Sequence, residues 1–323
     1  MTEVVIILPA YNEAQTIAAT IEGFAAACPE ARIIVVDNNS SDDTFARALV
    51  ATTAIGDRGL VIQEFRQGKA NAIRKALRDI DGDVYVMVDA DMTYPPGAMR
   101  ALMAPVVDGS ADMVVGDRLS GGHYADENKR RFHTFGNGLV RNMINFLFRT
   151  NLADIMSGYR VFNRRFAKSY PILVGGFELE VDMTLFALHH RFAIREISVP
   201  YVDRPAGSHS KLSTFRDGAR IVFTIFQIMR YYRPLMFFGL LSAVFLLAGF
   251  GAGSVVVLEW MRTGVILRLP LAVLAASLEV GAMMLLAIGL ILDSIARQEL
   301  VEFERFQLSK ATAVASTRMF VQG

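Results

Sequence analysis

Val84-Tyr85-Val86-Met87-Val88-Asp89-Ala90-Asp91 is an apolar run that ends in two carboxylates one residue apart. Read as a strand, it alternates its side chains, so Asp89 and Asp91 are expected on one face where the strand runs out. Open α/β sheets take ligands at the carboxyl ends of their strands. Two hard oxygen donors there suit Mg²⁺ or Mn²⁺, and such an ion suits a diphosphate. Asp is also an ordinary turn residue, so the pair gains meaning only from its surroundings.

Upstream, the same pattern repeats. Val4 to Leu8 is a short apolar run stopping at Pro9-Ala10-Tyr11-Asn12-Glu13, a buried strand followed by a loop. A helix is expected from about Ala14 to Ala27. Arg32 to Val36 reads as a second strand. The polar cluster Asp37-Asn38-Asn39-Ser40-Ser41-Asp42-Asp43-Thr44 ends it and caps a helix running to about Ala51. Leu60 to Phe65 is a third strand, and Gly68-Lys69-Ala70-Asn71 opens a helix through about Arg78. Strand and helix alternate with short connections, which predicts a mainly parallel, doubly wound α/β sheet. Downstream, Met113 to Val115, Val161-Phe162 and Ile194 to Pro200 read as strands. Helices are expected from about Lys129 to Arg149, from Phe177 to His190, and, amphipathic, from about Thr214 to Tyr232.

Beyond Arg233 the composition changes. Hydrophobic residues make up 53% of the chain, high for a soluble protein, and the excess sits here. Leu235 to Leu258 holds no charge, and Leu269 to Leu292 holds one, Glu279. Each reaches the roughly 20 apolar residues that a membrane span needs. The connector Glu259 to Arg268 is short, so the spans form a hairpin with both flanks on one side of a bilayer. Arg230 and Arg233 favour the cytoplasm for that side, while Arg262 and Arg268 in the connector pull the other way. The expected layout is a catalytic domain over 1–212, an amphipathic juxtamembrane helix over 213–233, two transmembrane helices over 234–293, and a cytoplasmic tail over 294–323. That describes a multi-pass protein of the cell (inner) membrane with its catalytic domain in the cytoplasm. Gly239, Gly249, Gly251 and Gly253 suit close helix packing and permit a homo-oligomer. Glu279 is a functional candidate by position, although packing on the partner helix explains it more simply.

A net charge of +1 gives no reason to expect nucleic acid as a partner. Cys28 is the only cysteine, so neither an internal disulfide nor a cysteine zinc site can form. The first residues carry Glu3 and no basic stretch, and do not read as a signal peptide. The five histidines show no metal-ligand spacing.

Six stretches, in this order and spacing, carry a resemblance: Leu8-Pro9-Ala10-Tyr11-Asn12-Glu13, Val35-Val36-Asp37-Asn38-Asn39-Ser40, Gly68-Lys69-Ala70-Asn71, Asp89-Ala90-Asp91, Ser157-Gly158-Tyr159-Arg160, and Arg204-Pro205 through Ser210-Lys211. Over about residues 3 to 232 the chain resembles family 2 glycosyltransferases of GT-A fold. Within them it is most similar to the branch that loads a sugar onto a polyprenyl phosphate, which includes dolichol-phosphate mannose synthase and bactoprenol-phosphate glucosyltransferases. The resemblance implies that Pro9, Ala10, Tyr11 and Glu13 hold the base and ribose, with Asp37 as partner and Lys69 nearby. It implies that Asp89-Ala90-Asp91 is the DxD motif, with Asp91 and Asp89 on the metal, Mg²⁺ or Mn²⁺. Many relatives place Gln two residues further on, where this chain has Thr93, a weaker ligand. Arg118, Arg131 and Thr134 match residues that hold the acceptor phosphate, and Arg204 and Lys211 match a basic loop that closes over the donor phosphates.

The implied reaction moves a sugar from a UDP- or GDP-linked donor to a polyprenyl phosphate at the lipid bilayer, with inversion. A phosphate monoester is mostly dianionic at pH 7, so that reaction needs placed positive charge rather than a strong base. A hydroxyl acceptor would need a base. Asp154 is then the first candidate catalytic residue beside Asp89 and Asp91, followed by Glu178, Glu180 and Asp182. Two alternatives stand against the lipid-phosphate reading. One is a transferase acting on a sugar or glycolipid hydroxyl in polysaccharide synthesis. A processive synthase of that kind carries Gln-x-x-Arg-Trp, where Gln227 to Tyr231 here ends in Tyr. The other is a membrane protein that binds nucleotide sugar without catalysis.

Overall fold

The computed structural model describes residues 2–120, 131–172, 179–200 and 226–321, with backbone alone over 131–137 and 310–321. The chain divides into two compact units, Met1–Asp217 and Gly218–Gly323.

The strands of the first unit are β1 Val4–Ala10, β2 Arg32–Asp37, β3 Gly59–Gln63, β4 Val84–Met87, β5 Met113–Asp117, β6 Arg160–Asn163 and β7 Ile194–Ser198. They form one sheet in the order β3-β2-β1-β4-β6-β5-β7. Pairing is parallel throughout except at β6, which runs antiparallel to both β4 and β5. The doubly wound α/β expectation therefore holds with one reversal. That reversal matters: β6 starts at the edge where β4 and β5 end, with Arg160 in register with Met87 and Val115.

Helices cover both faces. They are α1 Ile17–Ala27, α2 Thr44–Ala54, α3 Lys69–Asp79, α4 Met99–Val107, α5 Arg131–Phe148, α6 Arg164–Ala167 and α7 Leu179–His189. In α1, Ile17, Thr20, Ile21, Phe24 and Ala25 are buried at i, i+3, i+4, i+7 and i+8, one stripe of a helix. That stripe joins Met99, Leu102, Met103 and Val106 of α4 and alternate residues of the central strands, Val4, Ile6, Leu8, Ile33, Val35, Val84 and Val86, in a core of buried residues. The intervening strand residues, such as Val5, Ile7, Ile34 and Tyr85, are fully buried too. Strands covered on both faces read as unbroken apolar runs.

Three boundaries depart from expectation. The α4 helix was not anticipated, because Pro95, Pro96 and Pro105 punctuate its sequence. Pro96 instead opens a single 3-10 turn, and Pro105 sits near the helix's end, where one lost hydrogen bond is tolerated. The β4 strand ends at Met87, and Met92 takes a left-handed φ of 62° just past Asp91. Strand alternation therefore stops before Asp89 and does not set the directions of Asp89 and Asp91. The third departure lies in the second unit.

There, α8 Pro234–Thr263 and α9 Leu269–Val321 pack as an antiparallel hairpin. Ser242 Oγ donates to Ala282 O at 2.7 Å. A Cβ on Gly249 would stand 3.1 Å from Glu279 Cγ, and one on Gly289 would stand 3.0 Å from Phe238 Cβ. Glu279 thus packs against its partner helix, at a glycine. The α9 helix does not end near 293 but runs on to Val321, since no Gly or Pro follows Gly289 until Gly323. Both helices are long and apolar enough to cross a membrane, and only 17% and 11% of their most apolar windows are buried. Most of the amphipathic 214–232 segment lies outside the described residues; 226–232 is helical.

Candidate active site

The loops after β1, β2 and β3 interlock at the carboxyl edge of the sheet. Asn12 N donates to Ser40 Oγ at 3.1 Å, and Ser41 N donates to Asn12 Oδ1 at 2.9 Å. Glu13 N donates to Thr44 Oγ1 at 2.8 Å. Asn12 and Asn39 adopt left-handed φ of 56° and 59°, which Asn tolerates better than most residues. Buried Asn38 ties the third loop: its Nδ2 donates to Glu64 O and Arg66 O, and its Oδ1 accepts from Gly68 N at 2.7 Å. Gly68 itself has φ 121°, a conformation open to glycine. Pro9 and Ala10 end β1, where Ala10 pairs with Asp37, and Tyr11 and Glu13 follow in the loop. Asp37 is 1% exposed, and its Oδ1 has no hydrogen-bond partner among the described residues. A buried orphan acceptor is the condition that a ligand N–H relieves.

At the centre, Lys69 opens α3 and its ammonium touches two carboxylates. One is Asp89 Oδ1; the other is Glu180 Oε1 of α7, at 2.5 Å. Burial works to lower the Lys69 pKa, but the charges of Asp89 and Glu180 overcome it and raise it. The turn before β6 closes over this cluster. A Cβ on Gly158 would lie 3.0 Å from Asp89 Cγ and 3.1 Å from Lys69 Nζ, so a larger residue there would force the Asp89 and Lys69 side chains to shift. Buried Tyr94 pins that turn, its hydroxyl accepting from Gly158 N at 2.9 Å. Burial raises the Tyr94 pKa, with the charges of Arg118, Asp89 and Lys69 acting on it as well.

Asp91 is 3% exposed and accepts from Thr93 Oγ1 at 2.5 Å and from Thr93 N at 3.2 Å. Thr93 thus supports the carboxylate as a hydrogen-bond donor. Past β5, Arg118 grips Asp154 with two parallel bonds, Nε to Oδ2 at 2.7 Å and a terminal nitrogen to Oδ1 at 2.9 Å. Glu196 of β7 fixes the Asp154 turn by accepting from Ala153 N and Asp154 N at 2.7 and 2.8 Å. Burial raises the Glu196 pKa. Arg160, fully buried at the start of β6, ties the turn from below through Ser157 O, Ile155 O and Thr184 Oγ1.

The structure brings Lys69, Asp89, Asp91, Arg118 and Asp154 to the carboxyl edge, with Pro9, Ala10, Tyr11, Glu13 and Asp37 along the same edge. Arg131 and Thr134 lie in the first turn of α5, described as backbone only. Arg204, Lys211 and Glu178 lie outside the described residues. Asp182 accepts from Tyr170 Oη at 2.6 Å. Among the described histidines, His190 is buried and bonded to Phe186 O through Nδ1. Among the described residues no group of three or more His, Cys, Asp or Glu forms a metal cage. The donor set present, two carboxylates one residue apart, fits an ion whose remaining ligands come from substrate phosphates.

The family model "Glycosyl transferase family 2" matches residues 5–170. The chain belongs to this family. Among curated proteins, glycosyltransferase AglJ of Haloferax volcanii is 28% identical over 317 residues, covering 94% of this chain and 98% of that one. Polyprenol monophosphomannose synthase of Mycolicibacterium smegmatis is 27% identical, covering 70% and 85%. Among solved structures, glucosyl-3-phosphoglycerate synthase of Mycobacterium tuberculosis, in complex with Mn²⁺, UDP-glucose and phosphoglyceric acid, superposes with a TM-score of 0.55 at 20% identity, covering 71% of this chain and 79% of that one. It shares the GT-A fold.

Four side chains escaped prediction in their structural roles. Asn38 and Arg160 stood inside quoted motifs but carried no assignment, since nothing in the sequence marks either as buried. Tyr94, three residues past Asp91, was not singled out. Glu180 was weighed as a base, and its contact with Lys69 was not anticipated.

Proposed function

We propose that this family 2 glycosyltransferase moves a sugar from a UDP- or GDP-linked donor to a polyprenyl phosphate at a membrane. The observation that carries the acceptor reading is Arg118 on Asp154. Both oxygens of the first candidate base are committed to a guanidinium, Glu180 is committed to Lys69, and Asp182 accepts from Tyr170, while Glu178 lies outside the described residues. A phosphate acceptor needs no base, because its oxygen is already anionic near pH 7. Two further facts support the reading. Both long helices of the second unit leave large apolar side chains such as Leu247, Phe250 and Met283 more than 70% exposed, a surface that suits lipid. A curated relative is named a polyprenol monophosphomannose synthase.

In this account the base and ribose sit among the loops after β1 to β3, and Asp37 Oδ1 accepts from the base. Asp91 and Asp89 would hold Mg²⁺ or Mn²⁺, with phosphate oxygens of the donor completing its ligands. When bound, the ion supplies positive charge to the departing diphosphate. The acceptor oxygen forms its bond to the anomeric carbon on the face opposite the breaking bond, so configuration inverts and no proton needs to leave. Donor and acceptor are both anions, so cations must bring them together. Arg118 is fixed for that task, with Arg131, Thr134, Arg204 and Lys211 as its partners and Lys69 on the donor side. The two helices of the second unit span the membrane, with the catalytic unit on the cytoplasmic side.

The test is transfer from a panel of UDP- and GDP-sugars to undecaprenyl phosphate in detergent with Mn²⁺ or Mg²⁺, wild type against Asp91→Ala. Lipid-linked monosaccharide from wild type, lost in the variant, is the expected result. Consumption of donor only with a sugar or glycolipid acceptor would overturn the acceptor assignment.

A further inference from the structure

Lys69 holds one oxygen of the motif's first carboxylate, Asp89 Oδ1. Its ammonium lies between Asp89 and Glu180, the three side chains being only 17%, 30% and 9% exposed. Gly158 lies beside the pair, close enough that an added Cβ would crowd the Asp89 carboxylate and the Lys69 ammonium. Asp91, the second carboxylate, accepts twice from Thr93. Both carboxylates of the motif are therefore engaged within the chain, and a singly charged cation already neutralises one of them.

Charge arithmetic makes this arrangement a switch. One ammonium between Asp89 and Glu180 leaves a net charge of −1, and Asp91 brings the site to −2, but a divalent ion approaching Asp89 meets the positive charge of Lys69 already on its Oδ1. A nucleotide diphosphate changes the balance, since it offers Lys69 new anionic oxygens and offers the ion ligands that the protein lacks. Glu180 comes from α7, 111 residues along the chain from Lys69, and does not belong to the Asp89 loop. It can keep hold of Lys69 while Asp89 lets go.

Resting on the nucleotide-sugar reading above, we propose that Lys69 is a built-in cation that keeps divalent metal off Asp89 in the free protein, and that Glu180 is the positioning residue that retains Lys69 when nucleotide diphosphate and metal arrive together. Metal then binds with the nucleotide rather than before it. The donor site is not left as an open acidic cation trap when the nucleotide is absent.

The test is Mn²⁺ binding by electron paramagnetic resonance, on the full chain in detergent, without acceptor lipid. Titrations are run without nucleotide and with UDP or GDP, against protein-free nucleotide blanks. Wild type is expected to bind Mn²⁺ weakly alone and at least tenfold more tightly with one of the nucleotides. Lys69→Met is expected to bind Mn²⁺ without nucleotide at least tenfold more tightly than wild type. Glu180→Gln, with Lys69 still on Asp89, is expected to stay within twofold of wild type without nucleotide and to lose most of the nucleotide-driven tightening. A merely structural role for Glu180 would weaken both states together. Lys69→Met binding no tighter than wild type overturns the proposal, as does wild type binding Mn²⁺ equally with and without a nucleotide that it demonstrably binds. If neither UDP nor GDP binds at all, the donor reading fails, and the nucleotide-free comparison of Lys69→Met with wild type still decides the role of Lys69.

Discussion

Arg160 carries its charge fully buried, with no carboxylate in ion-pair reach among the described residues. Burial lowers its pKa, against the more distant charges of Glu180 and Asp154. What it gains is geometry: two carbonyls of the 154–158 turn and the Thr184 hydroxyl converge on one planar fork. Replacing it with Met orphans those carbonyls, at about 1–3 kcal/mol each. Arg160→Met is therefore expected to lower the thermal midpoint and to cut sugar transfer at least tenfold at temperatures where the variant stays folded. Unchanged transfer would show that the turn is held some other way. Glu64 makes a pH prediction. The Arg66 guanidinium beside it holds its carboxyl down at about 2, against about 4.3 in an unfolded chain. A depressed acid contributes stability above the unfolded value and loses it as pH falls toward the folded one. Wild type should thus exceed Glu64→Gln in stability above about pH 5, and the gap should close by about pH 2 in a chemical denaturation series.

The elements show where sequence speaks and where it falls silent. The strands β1, β2 and β4 were legible because a strand buried on both faces must be apolar throughout, and the polar clusters after them announce loops. The direction of β6 was not legible. Val161-Phe162 looks the same whichever way it runs, and only pairing with two distant strands decides it. Yet that reversal delivers Ser157, Gly158 and Asp154 to Asp89 and Arg118. Lys69, Asp89 and Asp154 could be named one by one from local motifs, but Glu180 on Lys69 could not, since nothing local links residues 111 apart. Proline punctuation hid α4, and the lack of a stop signal carried α9 past the end of its apolar stretch. The hairpin allows a test at this scale. Gly249 meets Glu279, Leu278 and the Ala275 carbonyl closely, so Gly249→Leu must push the helices apart. Overpacking of this kind costs about 1–3 kcal/mol, and the detergent-solubilised protein should melt several degrees lower. An unchanged midpoint would mean that the helices do not pack through Gly249.

At the scale of the whole molecule, a family 2 glycosyltransferase unit and a unit of two apolar helices share one chain. The apolar faces of those helices would be costly in water, at roughly 25 cal/mol for each Å² of apolar surface. The full chain should therefore stay in the membrane pellet after alkaline carbonate washing, and its release into the supernatant would contradict the membrane assignment. In the proposed function, anchorage at a membrane would suit an acceptor that is itself a lipid, with Arg118 receiving its phosphate. That is the central claim, and one comparison tests it most directly: the kinetics of wild type and Arg118→Met with undecaprenyl phosphate and with the same alcohol lacking phosphate. The account predicts transfer by wild type to the phosphate alone, and in the variant a KM for undecaprenyl phosphate raised at least tenfold with the donor KM nearly unchanged. Equal transfer to the alcohol, or a variant indistinguishable from wild type, would contradict it.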